Sequence, residues 1–271
     1  MNEDDNKRLV VSVIMPALNE EKNILAAINN ILKALEDFNI NGEVIAVNDG
    51  STDATEEMVR DIMNKDNRVR MLRHEKPQGI GTSFWDGVDN AKGDIVIMLP
   101  GDNENDPWEI LRYYELLDHV DMIIPFIFNK EARSLFRNVL SFIYRFIINT
   151  TFLVYFNYTN GTVLYRKSIL KELEYRSHSF FFQTDILIRL VKRGYLFAEV
   201  PYRLGLRKEG VSKAITFPSL LQVTKGYFQL LNDIYFKKKN KACFSDDSQT
   251  ALRRQKADEL GFCKIGFGGD N

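Results

Sequence analysis

Residues 43–53 read EVIAVNDGSTD, a short apolar run that ends in a polar loop. The run is rich in β-branched residues, which predicts a buried strand, and the Asp-Gly-Ser that follows it is typical of a turn. An amphipathic stretch then covers residues 53–64, for which Thr52 or Asp53 is a suitable N-cap. This order of strand, polar loop and helix is the repeating unit of a parallel α/β sheet.

The same unit recurs on both sides of this stretch. Upstream, VVSVIM at 10–15 is followed by the polar PALNE at 16–20 and by a helical pattern that reaches Asp37. Downstream, IVIML at 95–99 runs into PGDNE at 100–104. Loops at the carboxyl ends of parallel strands meet at one edge of an open sheet, where ligands bind. We therefore expect PALNE, DGSTD and PGDNE to converge on one crevice.

The remaining apolar patterns predict further elements of the same kind. Residues 69–73 predict a third strand and 80–90 a third helix. In the second half, 162–165 reads as a strand, and 184–193 and 216–236 as amphipathic helices. The whole is an α/β fold, with a mostly parallel sheet flanked by helices.

The composition is that of one sizeable globular domain. The chain has 271 residues, of which 45% are hydrophobic, and 36 basic and 37 acidic residues leave a formal net charge of -1. Because there is no overall basic field, nucleic acid is not an expected partner. The cysteines, Cys243 and Cys263, do not form a disulfide framework, and no signal-peptide pattern opens the sequence. A cytoplasmic location is expected.

The patterns divide the chain into four parts. Residues 1–9 are predicted to be flexible, and 10–236 to form the main domain. Within it, 10–125 carries the polar strand-end loops, and 126–236 is a more aromatic, helical and amphipathic half. The tail at 237–271 begins with KKKNK and ends in glycines, which predicts a weakly ordered terminus.

Residues 133–156 are dense in Phe, Tyr and Ile, with Arg133, Arg137 and Arg145 interspersed. Polar residues interrupt the run, so it predicts no membrane span. One interpretation is an amphipathic helix that covers the sheet. The other is a helix at a membrane surface, with its arginines facing headgroups or an anionic acceptor. The aromatic density exceeds what one buried face requires and favours the second.

The acidic cluster after the strand at 95–99 has its own interpretation. Asp102, Glu104 and Asp106 supply the oxygen ligands that Mg²⁺ or Mn²⁺ prefers. Such a cation would bridge the oxygens of a diphosphate. Alternatively, the cluster is a solvated turn that caps a helix starting near Pro107.

Seven segments, taken in order, resemble glycosyltransferase family 2: PALNE, VNDGSTD, LPGDNENDPWE, NYTNGTVLYRK, FFFQTDILIRLVKRGY, AEVPYRL and RKEGVSK. The last four favour its polyprenyl-phosphate branch, which contains dolichyl-phosphate mannose synthase. The similarity covers roughly residues 10–235. It implies a GT-A fold with a Rossmann-like sheet. It also implies inverting transfer of a sugar from a UDP- or GDP-sugar with a divalent metal.

The resemblance assigns roles in the donor half by position. Asp102 matches the principal metal ligand of the DxD motif, and Glu104 is a candidate second ligand. Pro100 stands where the first acid of that motif is usual, so metal binding depends more heavily on Asp102. The positions that match the nucleotide pocket are Pro16, Leu18, Glu20, Val47, Asp49, Gly101 and Asp102.

The acceptor half matches less closely. Asp185 matches an acid that would serve as catalytic base if the acceptor were a sugar hydroxyl of a glycan precursor. A polyprenyl phosphate is already an anionic nucleophile and needs no base. Asn157 and Val163 replace an acid and an arginine of the branch, which leaves the acceptor open. The basic residues assigned to the acceptor or to phosphates are Arg133, Arg137, Arg207 and Lys213.

Three other functions are compatible with parts of this pattern. A nucleotide-sugar-binding protein without activity would also tolerate Pro100. A membrane-docking module would use residues 133–156 and leave catalysis to a partner. A sugar nucleotidyltransferase is disfavoured because residues 17–22 contain no glycine for holding a triphosphate. The histidines lack metal-ligand spacing and are predicted to be ordinary surface or core residues; they are His74, His119 and His178.

Overall fold

The computed structural model describes residues 10–129, 135–203, 217–237 and 244–260. The described strands form one seven-stranded sheet. They are β1 (Val11–Ala17), β2 (Gly42–Asn48), β3 (Val69–Arg73), β4 (Ile95–Met98), β5 (Met122–Ile127), β6 (Leu164–Arg166) and β7 (Phe197–Tyr202). The described helices are α1 (Ile24–Asp37), α2 (Thr55–Met63), α3 (Ile80–Asn90), α4 (Pro107–Leu111), α5 (Leu135–Phe152), α6 (Lys167–Lys171), α7 (Phe182–Arg193), α8 (Phe217–Tyr235) and α9 (Gln249–Glu259).

The sheet is mostly parallel, as the sequence predicted. Its strand order is β3-β2-β1-β4-β6-β5-β7. The first four strands along the chain are parallel to one another. β6 runs antiparallel between β4 and β5, and β7 pairs in parallel with β5 at the far edge. The carboxyl ends of β1, β2 and β4 therefore lie side by side.

Helices cover both faces of the sheet because the strands are apolar on both sides. In β2, Val44 and Ala46 pack on the face that carries α1, α2 and α4. Ile45 and Val47 alternate with them and pack on the face of α3, α5, α7 and α8. Full burial of each valine or isoleucine side chain contributes about 1.5–3 kcal/mol to stability. The loops at the strand ends therefore begin and end on a sheet that is packed on both faces.

Residues 244–260 of the predicted tail are described by the structure and contain the helix α9. Asp121, which is fully buried, accepts hydrogen bonds from the main-chain N–H groups of Gln249 (2.6 Å) and Thr250 (3.2 Å) at the start of α9. Ser248 caps the same helix by accepting from the N–H of Ala251 at 3.1 Å. A carboxylate at a helix N-terminus is favourable, and here it comes from a residue distant in sequence. Residues 1–9, 238–243 and 261–271 lie outside the described parts of the chain.

Candidate functional site

The three strand-end loops meet, as predicted. The N–H of Asp49 donates to the carbonyl of Ala17 at 2.9 Å, and the N–H of Gly101 donates to that of Pro16 at 3.0 Å. A Cβ on Gly101 would lie 2.8 Å from Ile24 Cδ1, so the loop after β4 packs closely against α1 at this position. Main-chain hydrogen bonds therefore join the loops that follow β2 and β4 to the loop that follows β1.

PALNE and DGSTD are also joined through side chains. Asn19, in a left-handed conformation with φ of 57°, accepts a hydrogen bond from the N–H of Thr52 at 2.9 Å. Its own N–H donates to Ser51 Oγ at 3.0 Å. The N–H of Glu20 donates to Thr55 Oγ1 at 2.8 Å. Leu18 and Glu20, on either side of Asn19, are partly exposed.

Asp49 is the most heavily bonded of the predicted nucleotide residues. Its Oδ1 lies 2.7 Å from His74 Nδ1 and accepts from the N–H of Gln78 at 2.7 Å. Its Oδ2 accepts from the N–H of Gly79 at 2.9 Å. The opposite ring nitrogen of His74 lies 2.9 Å from Asp86 Oδ2 on α3. His74 is thus a buried member of a polar network and not an ordinary core residue.

Gly50 makes this arrangement sterically possible. It has φ of 75°, and a Cβ there would lie 2.8 Å from the main-chain carbon of Lys76. Any side chain would meet both the strain of positive φ and the segment that leads from β3 into α3. The close approach of the two loops therefore requires glycine.

Asp102 follows β4 and is suited to a divalent metal. Its partly exposed carboxylate accepts the N–H of Glu104 through Oδ1 at 3.1 Å. No group of three or more histidine, cysteine or acidic side chains that could hold a metal exists among the residues described. Mg²⁺ commonly uses one or two carboxylates together with substrate phosphates. Asp102, with Glu104 beside it, therefore fits a metal that the nucleotide helps to hold.

Asp106 caps a helix, which is the alternative role predicted for the whole acidic cluster. Its carboxylate accepts the N–H of Trp108 at 2.9 Å and caps α4.

Three of the residues predicted to line the nucleotide pocket are buried, namely Pro16, Val47 and Gly101. Val47 has no exposed surface and packs in the core on the face of α3.

A cavity of about 180 Å³ begins beside the acidic loop. Met98, Pro100 and Asn105 line it from the β4 side, and Phe182 and Gln183 from α7. Gln183 is held there by its amide, which donates to the carbonyl of Gly161 at 2.6 Å. The walls are mainly apolar, with amide groups at defined points, as in pockets for small organic molecules.

A second cavity, of about 490 Å³, adjoins the first through shared walls at Ile127 and Tyr158. Its cation is Arg145, whose guanidinium donates to the carbonyl of Asn157 at 2.8 Å. Glu199 of β7 accepts from the N–H and the amide of Asn157 at 2.6 and 2.8 Å. Burial raises the pKa of Glu199. Glu199 thus fixes the loop that positions Arg145.

Asp185 lies elsewhere, at the interface of α7 and α8. Both of its oxygens accept from Arg189, at 2.8 and 3.0 Å, and Arg189 also binds Asp233 of α8 at 2.8 Å. Burial raises the pKa of Asp185 despite the opposing effect of Arg189. Asp185 lines neither of the two cavities. The structure therefore does not bring it together with Asp102, and action as a base would require the ion pair to open.

α5 presents a broad apolar surface. Of its described side chains only Ile148 and Phe152 are buried. The large apolar side chains that α5 exposes are Leu135, Phe136, Val139, Leu140, Phe142, Ile143, Phe146 and Ile147. No helix in the described ranges is long and apolar enough to cross a membrane.

Of the basic residues assigned to the acceptor, Arg137 lies in the first turn of α5 and is partly exposed. Arg133, Arg207 and Lys213 lie outside the described residues. Arg145 was noted only as part of the aromatic segment, although it lies about two helical turns after Arg137 on the same helix. His74 was missed, yet it follows a parallel strand directly, the same signal that singled out Asp49 and Asp102.

The sequence profile of glycosyl transferase family 2 matches residues 12–174, more than half of the chain. The chain therefore belongs to glycosyl transferase family 2. This agrees with the three loops and the acidic cluster, all of which lie inside the matched range.

Two curated relatives come from the polyprenyl-phosphate branch. Dodecaprenyl-phosphate galacturonate synthase of Rhizobium johnstonii is 25% identical over 175 residues, which are 63% of this chain and 52% of that protein. Undecaprenyl-phosphate 4-deoxy-4-formamido-L-arabinose transferase of Aeromonas hydrophila is 34% identical over 116 residues, 42% of this chain and 35% of that protein. The matched part of the chain spans about half or less of these relatives.

Among solved structures, glucosyl-3-phosphoglycerate synthase of Mycobacterium tuberculosis in complex with UDP superposes with a TM-score of 0.63 at 21% identity, covering 86% of this chain and 82% of that one. Its complex with Mn²⁺, UDP-glucose and phosphoglyceric acid gives 0.61 at 20% identity, covering 83% and 80%. The fold is thus GT-A, as the resemblance implied.

Proposed function

We propose that this chain is an inverting glycosyltransferase that moves a sugar from a UDP- or GDP-sugar onto a polyprenyl phosphate at a membrane surface, with Mg²⁺ or Mn²⁺ as cofactor. The observation that carries the proposal is the position of Asp102. Its carboxylate stands at the end of β4, and the same loop lines the first of two adjoining cavities. The described residues thus form a continuous path from the acidic loop to the apolar face of α5.

The donor would lie across the three loops. Leu18, Glu20 and Asp49 would contact the nucleoside, and Asp102 with Glu104 would hold the metal. When bound, the metal would offset the charge that develops on the departing diphosphate. The complexes of the Mycobacterium tuberculosis enzyme with UDP, UDP-glucose, Mn²⁺ and Mg²⁺ support this choice of donor and cofactor. The first cavity, next to Pro100, would take the transferred sugar.

The acceptor would enter through the second cavity. Arg145 is suited to an anionic head because a guanidinium binds phosphate oxygens in pairs. Asp185, the predicted base, is held by Arg189 and lines neither cavity. A phosphate nucleophile is already ionised and requires no base, whereas a sugar hydroxyl does. This favours the polyprenyl phosphate named in the two curated relatives, with Asp185 as a positioning residue.

The donor proposal predicts nucleotide-dependent stabilisation. A ligand that binds only the folded protein raises the unfolding temperature by mass action. UDP or GDP with Mn²⁺ should therefore raise the melting temperature of the whole chain by several degrees, and more than either nucleotide does with EDTA. Thermal-shift measurements over UDP-, GDP- and sugar-linked forms provide the test. Absence of any shift would remove the donor assignment.

The membrane proposal predicts flotation with vesicles. Phe146 is 61% exposed on α5, and Ile143 lies one turn before it. Charges at both positions, in Ile143→Glu/Phe146→Glu, should lower partitioning onto phosphatidylglycerol–phosphatidylcholine vesicles by roughly 100-fold, because apolar burial drives interfacial binding. Leu252→Glu on α9, at a side chain that is 47% exposed, is the matched control and should float like the wild type. Wild-type protein that stays at the bottom of the gradient would refute the membrane assignment.

A further inference from the structure

The hydrogen bonds that Asp49 already makes restrict the base that it can read. An ionised carboxylate has about four lone-pair positions, two on each oxygen. Oδ1 accepts from the N–H of Gln78 at 2.7 Å and lies 2.7 Å from His74 Nδ1, so that both of its positions are used when Nδ1 carries the ring proton. Oδ2 uses one, for the N–H of Gly79 at 2.9 Å. One position is left, and it belongs to Oδ2.

The protein holds these three contacts firmly. The side chains of Asp49 and His74 are only 7% and 8% exposed. His74 is anchored from the other side by Asp86 at 2.9 Å. Gln78 and Gly79 directly precede α3, which begins at Ile80 and has Gly79 as its N-cap. A bound nucleotide would therefore meet Asp49 as an acceptor of a single hydrogen bond.

Guanine and uracil differ in the number of hydrogen-bond donors that they present to such a carboxylate. Guanine carries two adjacent donors, N1–H and the 2-amino group, and a carboxylate recognises it with both oxygens at once. Uracil carries one donor, N3–H, between two carbonyl oxygens. When one carboxylate oxygen accepts N3–H of uracil, the other oxygen faces a uracil carbonyl, and the two oxygens repel each other. This repulsion is weaker when protein N–H groups already donate to that second carboxylate oxygen.

We infer that Asp49, with Oδ1 filled by His74 and Gln78, selects uracil over guanine, so that the donor is a UDP-sugar. This inference rests on the proposed function, because it takes Asp49 as the residue that contacts the base. His74 is then a positioning residue that acts through Asp49. Its loss would reopen one position on Oδ1 and allow both oxygens to face guanine.

The test is calorimetric titration of the whole chain with UDP and with GDP, each in the presence of Mn²⁺. Wild-type protein should bind UDP at least tenfold more tightly than GDP, since the second donor of guanine would lack an acceptor. His74→Phe removes the ring N–H and should reduce this ratio several-fold. His74→Gln keeps an N–H donor on a side chain of similar length and should retain more of this ratio. His119→Gln, at an exposed site, is the matched control and should leave the ratio unchanged.

The outcomes separate this inference from the function on which it rests. If neither nucleotide binds, the donor site itself is refuted. If both bind and GDP binds as tightly as UDP or more tightly, the glycosyltransferase assignment stands and the choice of uracil is wrong. If UDP is preferred and His74→Phe keeps the full wild-type ratio, positioning by His74 is wrong. Should His74→Phe fail to fold, His74→Gln and the wild-type ratio still decide the choice of base.

Discussion

Replacing Asp102 with alanine should abolish most of the gain in UDP affinity that Mn²⁺ gives to the wild-type protein, a loss of about 100-fold. In the proposed function Pro100 supplies no carboxylate, so metal binding would depend on Asp102, with Glu104 as a neighbouring oxygen ligand. The metal would offset the charge of the diphosphate, and that contribution would be lost with Asp102. Titration of UDP with and without Mn²⁺ measures the effect directly, independently of the acceptor.

Asp106 offers a matched control in the same loop. Its carboxylate caps α4 by accepting the N–H of Trp108. Asp106→Ala should therefore cost about 1 kcal/mol of stability and leave the response to Mn²⁺ intact. Equal losses of that response in both variants would mean that the acidic loop acts through its fold or overall charge. Asp102 would then not be the ligand.

Replacing Arg189 with leucine should lower the free energy of unfolding by about 3–5 kcal/mol, because the Asp185 carboxylate would remain buried without its cation, whereas Asp233 would keep its ion pair with Lys237. Asp185 and Asp233 are 2% and 6% exposed at the side chain. Arg189 also lies over the ring of Tyr175, at 4.9 Å from its centre, so packing is lost as well. Urea denaturation of the variant and of the wild type would measure the difference.

The same variant has a predicted pH dependence. Burial raises the pKa of Asp185, and Arg189 opposes that effect. Without Arg189 the pKa rises further, so protonation of Asp185 favours folding of the variant more strongly. The deficit should be largest at neutral pH and shrink as the pH falls through this raised pKa.

Arg60 provides the control for an exposed ion pair. It binds Glu56 at 2.8 Å one helical turn away, and its side chain is 59% exposed. Arg60→Ala should cost less than about 1 kcal/mol, since solvent screens such pairs. If Arg189→Leu lowered the free energy of unfolding by no more than Arg60→Ala does, the ion pair with Arg189 would not hold Asp185 in place. Asp185 would then again be a candidate base.

The donor half was the more predictable part of the molecule. The limits of β3 and α3 are those that the sequence predicted, and DGSTD lies where a strand-end loop should. These predictions succeed because strand burial, turn chemistry and helix periodicity are local properties. The convergence of the loops followed from the parallel order of the strands alone.

The features that the sequence did not reveal are specific side-chain contacts, most of them between residues distant in sequence. The tail looked polar and weakly ordered, yet Asp121 anchors the start of α9 from the middle of the chain. His74 looked ordinary until the fold placed it between Asp49 and Asp86. Asp185 looked available as a base until Arg189, on the next turn of its own helix, and Asp233 of α8 enclosed it.

The sequence by itself thus determined the family, the α/β fold, and the strand-end positions of Asp49 and Asp102, because each depends on local pattern. Only the tertiary structure decided which carboxylates remain open to a ligand. Asp102 keeps a partly exposed carboxylate, Asp49 keeps one acceptor position, and Asp185 is engaged in an ion pair. Residue type and spacing cannot make this distinction, because the donors that occupy a carboxylate arrive from other elements when the chain folds.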